Sequence, residues 1–220
     1  MRAMPKAAPG TRSNRLRQSL RSALLHMIVA GGLEAGKPIN ESRLAMQLKV
    51  SRTPLREALL QLEQDNLIRS DERRGFSVER LSAREVREIY PMIWTLEGLA
   101  LRSSAVCSHL LVPELAHMNS EFAKARNLRR ALDLDSQWHE QLTSQSQNRR
   151  LLETISALRV GIRRYETVYM ADTRLLPESV AQHDAIIRDL KRHDMEGATK
   201  GLEKNWRFGM EVLIRKMGEE

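Results

Sequence analysis

The run Ser51-Arg-Thr-Pro-Leu-Arg-Glu-Ala-Leu-Leu-Gln-Leu-Glu-Gln-Asp-Asn66 constrains this chain more than any other stretch. Ser51 suits an N-cap, and Pro54 falls in the first turn, where a missing N–H costs little. Leu55, Leu59, Leu62 and Leu60 make an apolar stripe at helical spacing, and Asn66 offers a stop. Arg52, Thr53 and Arg56 then gather near the helix N-terminus, away from the stripe. A helix dipole favours anions at that end, so two arginines are an unusual choice there. They make sense if the anion comes from outside, as a phosphate or the acceptor-rich edge of guanine. An amphipathic helix with a solvated basic end is the plainer alternative, and the flanking segments weigh against it.

Ahead of this run, a helical pattern from about Asn14 to Ala30 passes through Leu16, Leu20, Ala23, Leu24, Met27 and Ile28, and Gly31-Gly32 stops it. Leu33 to Pro38 is turn chemistry. Asn40 can cap a short helix, Glu41–Leu48, with Leu44, Ala45 and Leu48 inward, and Lys49-Val50 leads tightly into Ser51. Two helices joined by a few residues, the second basic at its start, form the helix-turn-helix arrangement. After Asn66 the period changes to two. Leu67–Ser70 and Phe76–Glu79 read as short strands around Asp71–Gly75, with Gly75 supplying a positive φ and Arg73 and Arg74 at the tip. A basic-tipped hairpin in that place reads as a wing that touches phosphate or minor groove. Charge agrees with this reading: residues 1–80 hold 15 Lys/Arg against 8 Asp/Glu, while residues 81–220 hold 21 against 20. Nearly all the basic excess therefore sits in the first third, as expected of a nucleic-acid module followed by a neutral partner domain.

Residues 1–12 read as a disordered basic tail, 13–80 as the winged module, and 81–220 as an all-helical domain. The fold class is mainly α, a winged helix-turn-helix followed by an antiparallel helical bundle. Ser82-Ala-Arg-Glu85 has capping-box form and opens a helix that reaches toward Cys107. Further helices are expected at about Pro113–Asn127, Arg129–Gln145, Asn148–Met170, Pro177–Arg192 and Asp194–Met217. The single cysteine, Cys107, fits a reducing compartment, and its apolar neighbours suggest a buried thiol. With no signal peptide and no apolar run long enough to span a bilayer, the expected location is the cytoplasm, at the bacterial nucleoid.

Within the helical domain, Asp135 and His139 are spaced i,i+4 and share a helix face, and His183 lies on a later helix among Ala185, Ile186 and Leu190. An Asp and two imidazoles projecting into a bundle could hold zinc, nickel or manganese. The alternative is a surface pair plus a histidine satisfied by ordinary hydrogen bonds. Arg163, Arg164, Tyr165 and Tyr169 could point a cation and hydroxyls at a carboxylate effector, but the wet face of a long helix is the favoured reading. Arg102 is expected to pair with a carboxylate inside the bundle. Met92, Trp94, Met118, Trp138, Trp206 and Met210 read as core, with dimer or pocket lining as the alternative.

Residues 16–80 resemble the winged helix-turn-helix of the GntR family of bacterial transcription regulators. The likeness rests on Leu33, Gly36, Leu44-Ala45, the run Val50-Ser-Arg-Thr-Pro-Leu-Arg-Glu-Ala-Leu59, Asn66-Leu-Ile68 and Arg74-Gly-Phe-Ser-Val78. It implies that Arg52, Thr53, Arg56 and the wing glycine, Gly75, contact DNA; Ser51 at the helix start and Arg73 and Arg74 at the wing tip are expected to join them by their place in the pattern. A family arginine falls on Ser42, with Arg43 beside it as a substitute contact. Residues 83–217 resemble the FCD ligand-binding domain of the FadR subgroup, through Asp135-x3-His139, Gln182-His183 and the following Ile186 and Asp194. That resemblance implies one divalent metal ion on Asp135, His139 and His183. The third family histidine falls on Asn205, and an arginine four residues before Glu97 falls on Ile93.

The function expected from these residues is sequence-specific binding to double-stranded DNA by a homodimer, at a pseudo-palindromic operator. A small-molecule effector, an organic acid by resemblance, would act through the helical domain to release a repressor. The alternatives are an architectural DNA-binding protein without a ligand and a metal-dependent hydrolase. The second lacks a metalloprotease motif, since His139-Glu140 has no second histidine at the required spacing. The chain is therefore expected not to be an enzyme.

Overall fold

The computed structural model describes residues 9–71, 74–104 and 111–218, in two compact units, Met1–Arg80 and Leu81–Glu220. The first unit contains α1 (Pro9–Val29), α2 (Glu41–Leu48), α3 (Arg52–Gln64), β1 (Ile68–Asp71) and β2 (Gly75–Val78). Residues 1–8 of the expected tail lie outside the described residues. Residues 9–12 form the start of α1 rather than tail, and Pro9 takes a first-turn place where its missing N–H costs nothing.

Local chemistry explains the short elements. The Asn40 side chain accepts the Arg43 N–H and caps α2, which ends at Lys49 in the left-handed region (φ 55°). Helix α3 stops in the same way one turn before the wing. Asn66 sits at φ 55°, its N–H reaches the Glu63 carbonyl at 2.9 Å, and the Leu67 N–H reaches that of Leu62 at 3.0 Å. Leu55, Ala58, Leu59 and Leu62 are fully buried. Leu60, placed with them on the stripe, is 46% exposed, because five residues from Leu55 carry a helix well past the buried face. Helix α1 packs on α3 and is pinned there by Arg17–Glu57 (3.5 Å) and Arg21–Asp65 (2.6 Å).

The wing is a two-stranded antiparallel hairpin in register Ile68↔Val78 through Asp71↔Gly75, with Gly75 at φ 71° as the turn requires. The turn segment before α2 also joins it. The Gly36 N–H donates to the Val78 carbonyl (2.8 Å) and the Ile39 N–H to that of Phe76 (2.6 Å). Residues 33–38, read as turn alone, thus cover one edge of the hairpin.

The second unit is a bundle of α4 (Ala83–Ser103), α5 (Leu111–Ala123), α6 (Leu128–Thr143), α7 (Arg149–Met170), α8 (Leu176–Lys191) and α9 (Met195–Lys216), with a 3-10 turn at Thr173–Leu175. Side chains of Ser82, Asn127, Asn148 and Asp194 accept N–H groups from the first turns of α4, α6, α7 and α9. Helix α4 ends at Ser103, and Cys107 lies outside the described residues. Helix α9 packs against α8 and α4, α5 bridges α6 and α8, and α7 lies on α4 and α6. The core between them includes Val86, Tyr90, Ile93, Leu115, Phe122, Trp138, Ile162, Ile186 and Leu202. Met92 is exposed rather than in the core, and so is Arg102, which makes no ion pair with a described residue. On the supposed wet face of α7, Arg164, Tyr165 and Tyr169 are buried and Arg163 is half-buried beside Asp133. Arg164 and the Tyr165 hydroxyl both engage the Glu85 carboxylate, and the Tyr169 hydroxyl meets that of Ser179 at 2.8 Å. Among the described residues no helix is long and apolar enough to cross a membrane.

Candidate DNA-binding groove and buried ligand site

In the first unit, the N-terminus of α3 and the turn of the wing enclose an open concavity of ≈ 530 Å³. Arg52, Thr53, Arg56, Arg74 and Gly75 all line it, so five of the eight residues expected to contact DNA are brought together. The buried Leu55–Leu62 face turns these side chains outward. Phe76 supplies a ring beneath the Arg56 guanidinium, 5.9 Å from its centroid. Ser42 replaces the missing family arginine in this wall, and its hydroxyl accepts a hydrogen bond from Arg52 Nη2. Ser51 stands at the N-cap of α3 but makes no capping hydrogen bond, which leaves its hydroxyl exposed. Arg43 is not in the groove; it lines a separate recess with Met27, Leu33 and Gln47. Arg73 lies outside the described residues. Glu41 and Glu57 border the groove and limit its positive charge.

In the second unit, Asp135, His139 and His183 converge and are all buried, with one donor atom from each within 4.8 Å of the others. Bonds of about 2.0–2.2 Å to an ion place its ligands roughly 3–4 Å apart, so small rotations would close the trio. Each imidazole is already oriented. His139 Nδ1 lies 3.1 Å from Glu97 Oε2, and His183 Nδ1 lies 3.1 Å from Asn119 Oδ1. Asn119 itself is fixed by donating to the Val180 carbonyl (3.0 Å) and Asp184 Oδ1 (2.8 Å). With both Nδ1–H groups donating, each Nε2 is left as the nitrogen for a metal, the arrangement that outer hydrogen bonds impose on metal-bound histidines. Burial lowers the His139 pKa but the Glu97 and Asp135 carboxylates raise it overall, so at His139 an ion would take the place of the Nε2 proton. His183 Nε2 is fully buried, accepts no hydrogen bond and stands 3.6 Å from Asp135 Oδ1. An unpaired buried acceptor of this kind is costly unless something binds it, so the donor set fits a divalent cation. The His183 ring lies flat on the Trp138 indole, with centroids 3.7 Å apart and planes 2° from parallel.

Around the trio runs a wider polar network. Glu97, 0% exposed, accepts from Arg159 Nε (2.9 Å) and Nη2 (2.5 Å) and from Trp206 Nε1 (2.8 Å). Burial alone would raise its pKa, yet the Arg159 guanidinium and His139 hold it at about 2. Burial pushes Asp135 up, with partial relief from His139, and burial pushes His183 well down, toward the neutral ring a metal needs. A cavity of ≈ 30 Å³ opens beside the trio, lined by Asp135, His139, Glu166, Tyr169, Ser179 and Asn205 among others. That is room for an ion and a water rather than a metabolite. Asn205 Nδ2 donates to Gln182 Oε1 (2.9 Å), which leaves its carbonyl oxygen free for the cavity. Burial, followed by the nearby Asp135 charge, raises Glu166 to about 7. Ile93 is fully buried and brings no cation to the site.

Glu97, Glu166, Asn119 and Arg159 were not singled out as site residues from the sequence. Each is a polar residue on an amphipathic helix, which looks the same whether it faces water or a partner on another helix. The likeness of α4 to a family helix containing Glu97 was the one available signal.

Residues 16–78 match the bacterial regulatory proteins of the gntR family, and residues 88–206 match the FCD domain. The chain is 32% identical over 206 residues, covering 89% of it and 90% of the relative, to a Bacillus subtilis protein named as the uncharacterized HTH-type transcriptional regulator YdhC. It is 28% identical to the probable D-xylose utilization operon transcriptional repressor of Paenarthrobacter nicotinovorans, over 83% of this chain and 82% of that one. Its fold is similar to that of Escherichia coli McbR/YncC, with a TM-score of 0.79 and 22% identity over 92% of this chain and 98% of the other.

Proposed function

Because the chain belongs to the gntR family of bacterial regulatory proteins and carries the FCD domain of its FadR-type members, we propose that it is a homodimeric repressor released from its operator by a small metabolite. It is a DNA-binding transcriptional regulator and not an enzyme, as its family and relatives indicate. In this reading residues 13–80 bind DNA, residues 81–220 sense the effector and pair two subunits, and the protein works in the cytoplasm at the nucleoid. Repression is supported by relatives named as repressors.

The observation that carries the reading is the groove, which sets Arg52, Thr53 and Arg56 of α3 beside Arg74 and Gly75 of the wing. In our proposal α3 enters the major groove, Arg52 and Arg56 contact base edges or phosphate, Thr53 and Ser51 fix register, and the wing holds the backbone. The Ser42 hydroxyl steadies Arg52 while no DNA is present. Two such helices in a homodimer would read half-sites about one helical turn apart. Arg52→Ala is expected to cost about 1–3 kcal/mol of specific binding. Fluorescence anisotropy on the operator, found by selection from random duplexes, measures this; unchanged affinity would rule out the groove as the reading surface.

For the helical domain we propose that Asp135, His139 and His183 hold a divalent cation, zinc, nickel or manganese. The fit rests on the orphaned His183 Nε2 and on Nδ1 hydrogen bonds that aim both imidazoles. A bound ion would supply a Lewis-acidic anchor for an oxygen of the effector. Since the cavity is ion-sized, a metabolite must displace side chains from it, and that rearrangement is the proposed source of coupling to DNA affinity.

A further inference from the structure

Glu166 is a buried carboxylate, 9% exposed, in the wall of the cavity that also exposes Asp135, His139 and Asn205. Its surroundings do not account for it. No side-chain hydrogen bond from a described residue contributes to its environment. The preceding arginines of α7 are committed elsewhere, Arg159 to Glu97 and Arg163 to Asp133. A carboxylate held largely out of water with no donor among the described residues is disfavoured, and a cation beside it would relieve that cost.

The trio needs another ligand for the same reason. Asp135, His139 and His183 supply three donors, whereas structural zinc takes four and harder divalent ions take about six. At position 205 the available donor is a neutral amide oxygen, a weaker ligand than an imidazole or a carboxylate. Glu166 reaches the cavity from α7, whereas Asp135 and His139 reach it from α6, with His183 behind them on α8. Glu166 stands outside the three donors that lie within 4.8 Å of one another, so its carboxylate would turn across the ion-sized cavity to add a donor from a third helix.

We propose that the Glu166 carboxylate is a ligand of the divalent ion held by Asp135, His139 and His183, and that it makes up for the imidazole absent at position 205. The inference rests on the metal reading above and adds to it a charge argument. Two carboxylates and two neutral imidazoles cancel the charge of a divalent ion, which is the balance a dry site favours.

The test uses the full-length protein, stripped with chelator and reloaded with Zn(II) or Mn(II). Bound metal is counted by mass spectrometry, and affinity is measured by competition with a chromophoric chelator. The wild type is expected to load stoichiometrically, and His139→Ala to lose the ion. Glu166→Gln, almost isosteric, is expected to weaken both metals by roughly tenfold or more, and Asn205→Ala by less. Circular dichroism reports folding. Glu166→Asp, which keeps the charge but shortens the reach, repeats the test if the glutamine variant fails to fold, and wild-type affinity in it overturns the proposal. Wild-type affinity in Glu166→Gln, or a larger loss in Asn205→Ala, overturns the role of Glu166 while leaving the trio intact. A wild type that cannot be loaded removes the metal site and, with it, this inference.

Discussion

Glu97 shows how much one side chain can organise. It takes hydrogen bonds from a histidine on α6, an arginine on α7 and an indole on α9, at 2.5–3.1 Å, with no access to water. Glu97→Gln would leave the Arg159 guanidinium buried without its counter-charge. The expected loss is about 3–5 kcal/mol of domain stability, read by urea unfolding of the metal-free protein. A loss under about 1 kcal/mol would mean that the Ser136 carbonyl, 3.3 Å from Arg159 Nη1, satisfies the guanidinium by itself. At this scale the sequence was half legible. Asp135 and His139 announce themselves because i,i+4 spacing on a helix guarantees a shared face. Glu97 and Glu166 do not, because their burial is decided by other helices, which meet Glu97 from 42 to 109 residues away.

The elements themselves were written more plainly. Capping residues Asn40, Ser82, Asn127, Asn148 and Asp194 each accept an N–H from the turn they open, so helix starts could be placed by local chemistry alone. What local chemistry could not reveal was pairing between elements. Segment 35–39 joins the wing through hydrogen bonds to Phe76 and Val78, although its own residues signal only a turn. The polar face of α7 looked solvated because two arginines and two tyrosines suit water, yet Glu85 and Ser179 were waiting for them on α4 and α8. The wing supplies a prediction on this scale. Gly75 occupies φ 71°, and an alanine there would meet nothing closer than Glu41 Oε1 at 3.7 Å, so backbone strain is the chief penalty. Gly75→Ala should destabilise the hairpin by about 1–2 kcal/mol and weaken operator binding while leaving the helical domain's unfolding unchanged. Thermal unfolding and anisotropy on one preparation would show it; full operator affinity would mean the wing turn does not touch DNA.

The whole molecule has three tyrosines, Tyr90, Tyr165 and Tyr169, all in the helical domain. Burial raises the pKa of each, that of Tyr169 to about 12. Phenols held neutral in the folded state stabilise it fully below the unfolded value of about 10, and that contribution drains away as pH climbs through the folded value. The domain should therefore keep its stability up to about pH 10 and lose it toward pH 12, with phenolate absorbance appearing together with unfolding. A tyrosine that ionises freely near pH 10 in the folded protein would contradict the packing described. The same domain brings every one of its described helices to one point: Glu97 from α4, Asn119 from α5, Asp135 and His139 from α6, Arg159 and Glu166 from α7, His183 from α8, and Asn205 and Trp206 from α9. A vault closes on its keystone in the same way. Whatever settles at that point presses on all six helices at once, so occupancy becomes a property of the entire vault, and a change a fraction of an ångström wide at the centre has six levers by which to travel outward.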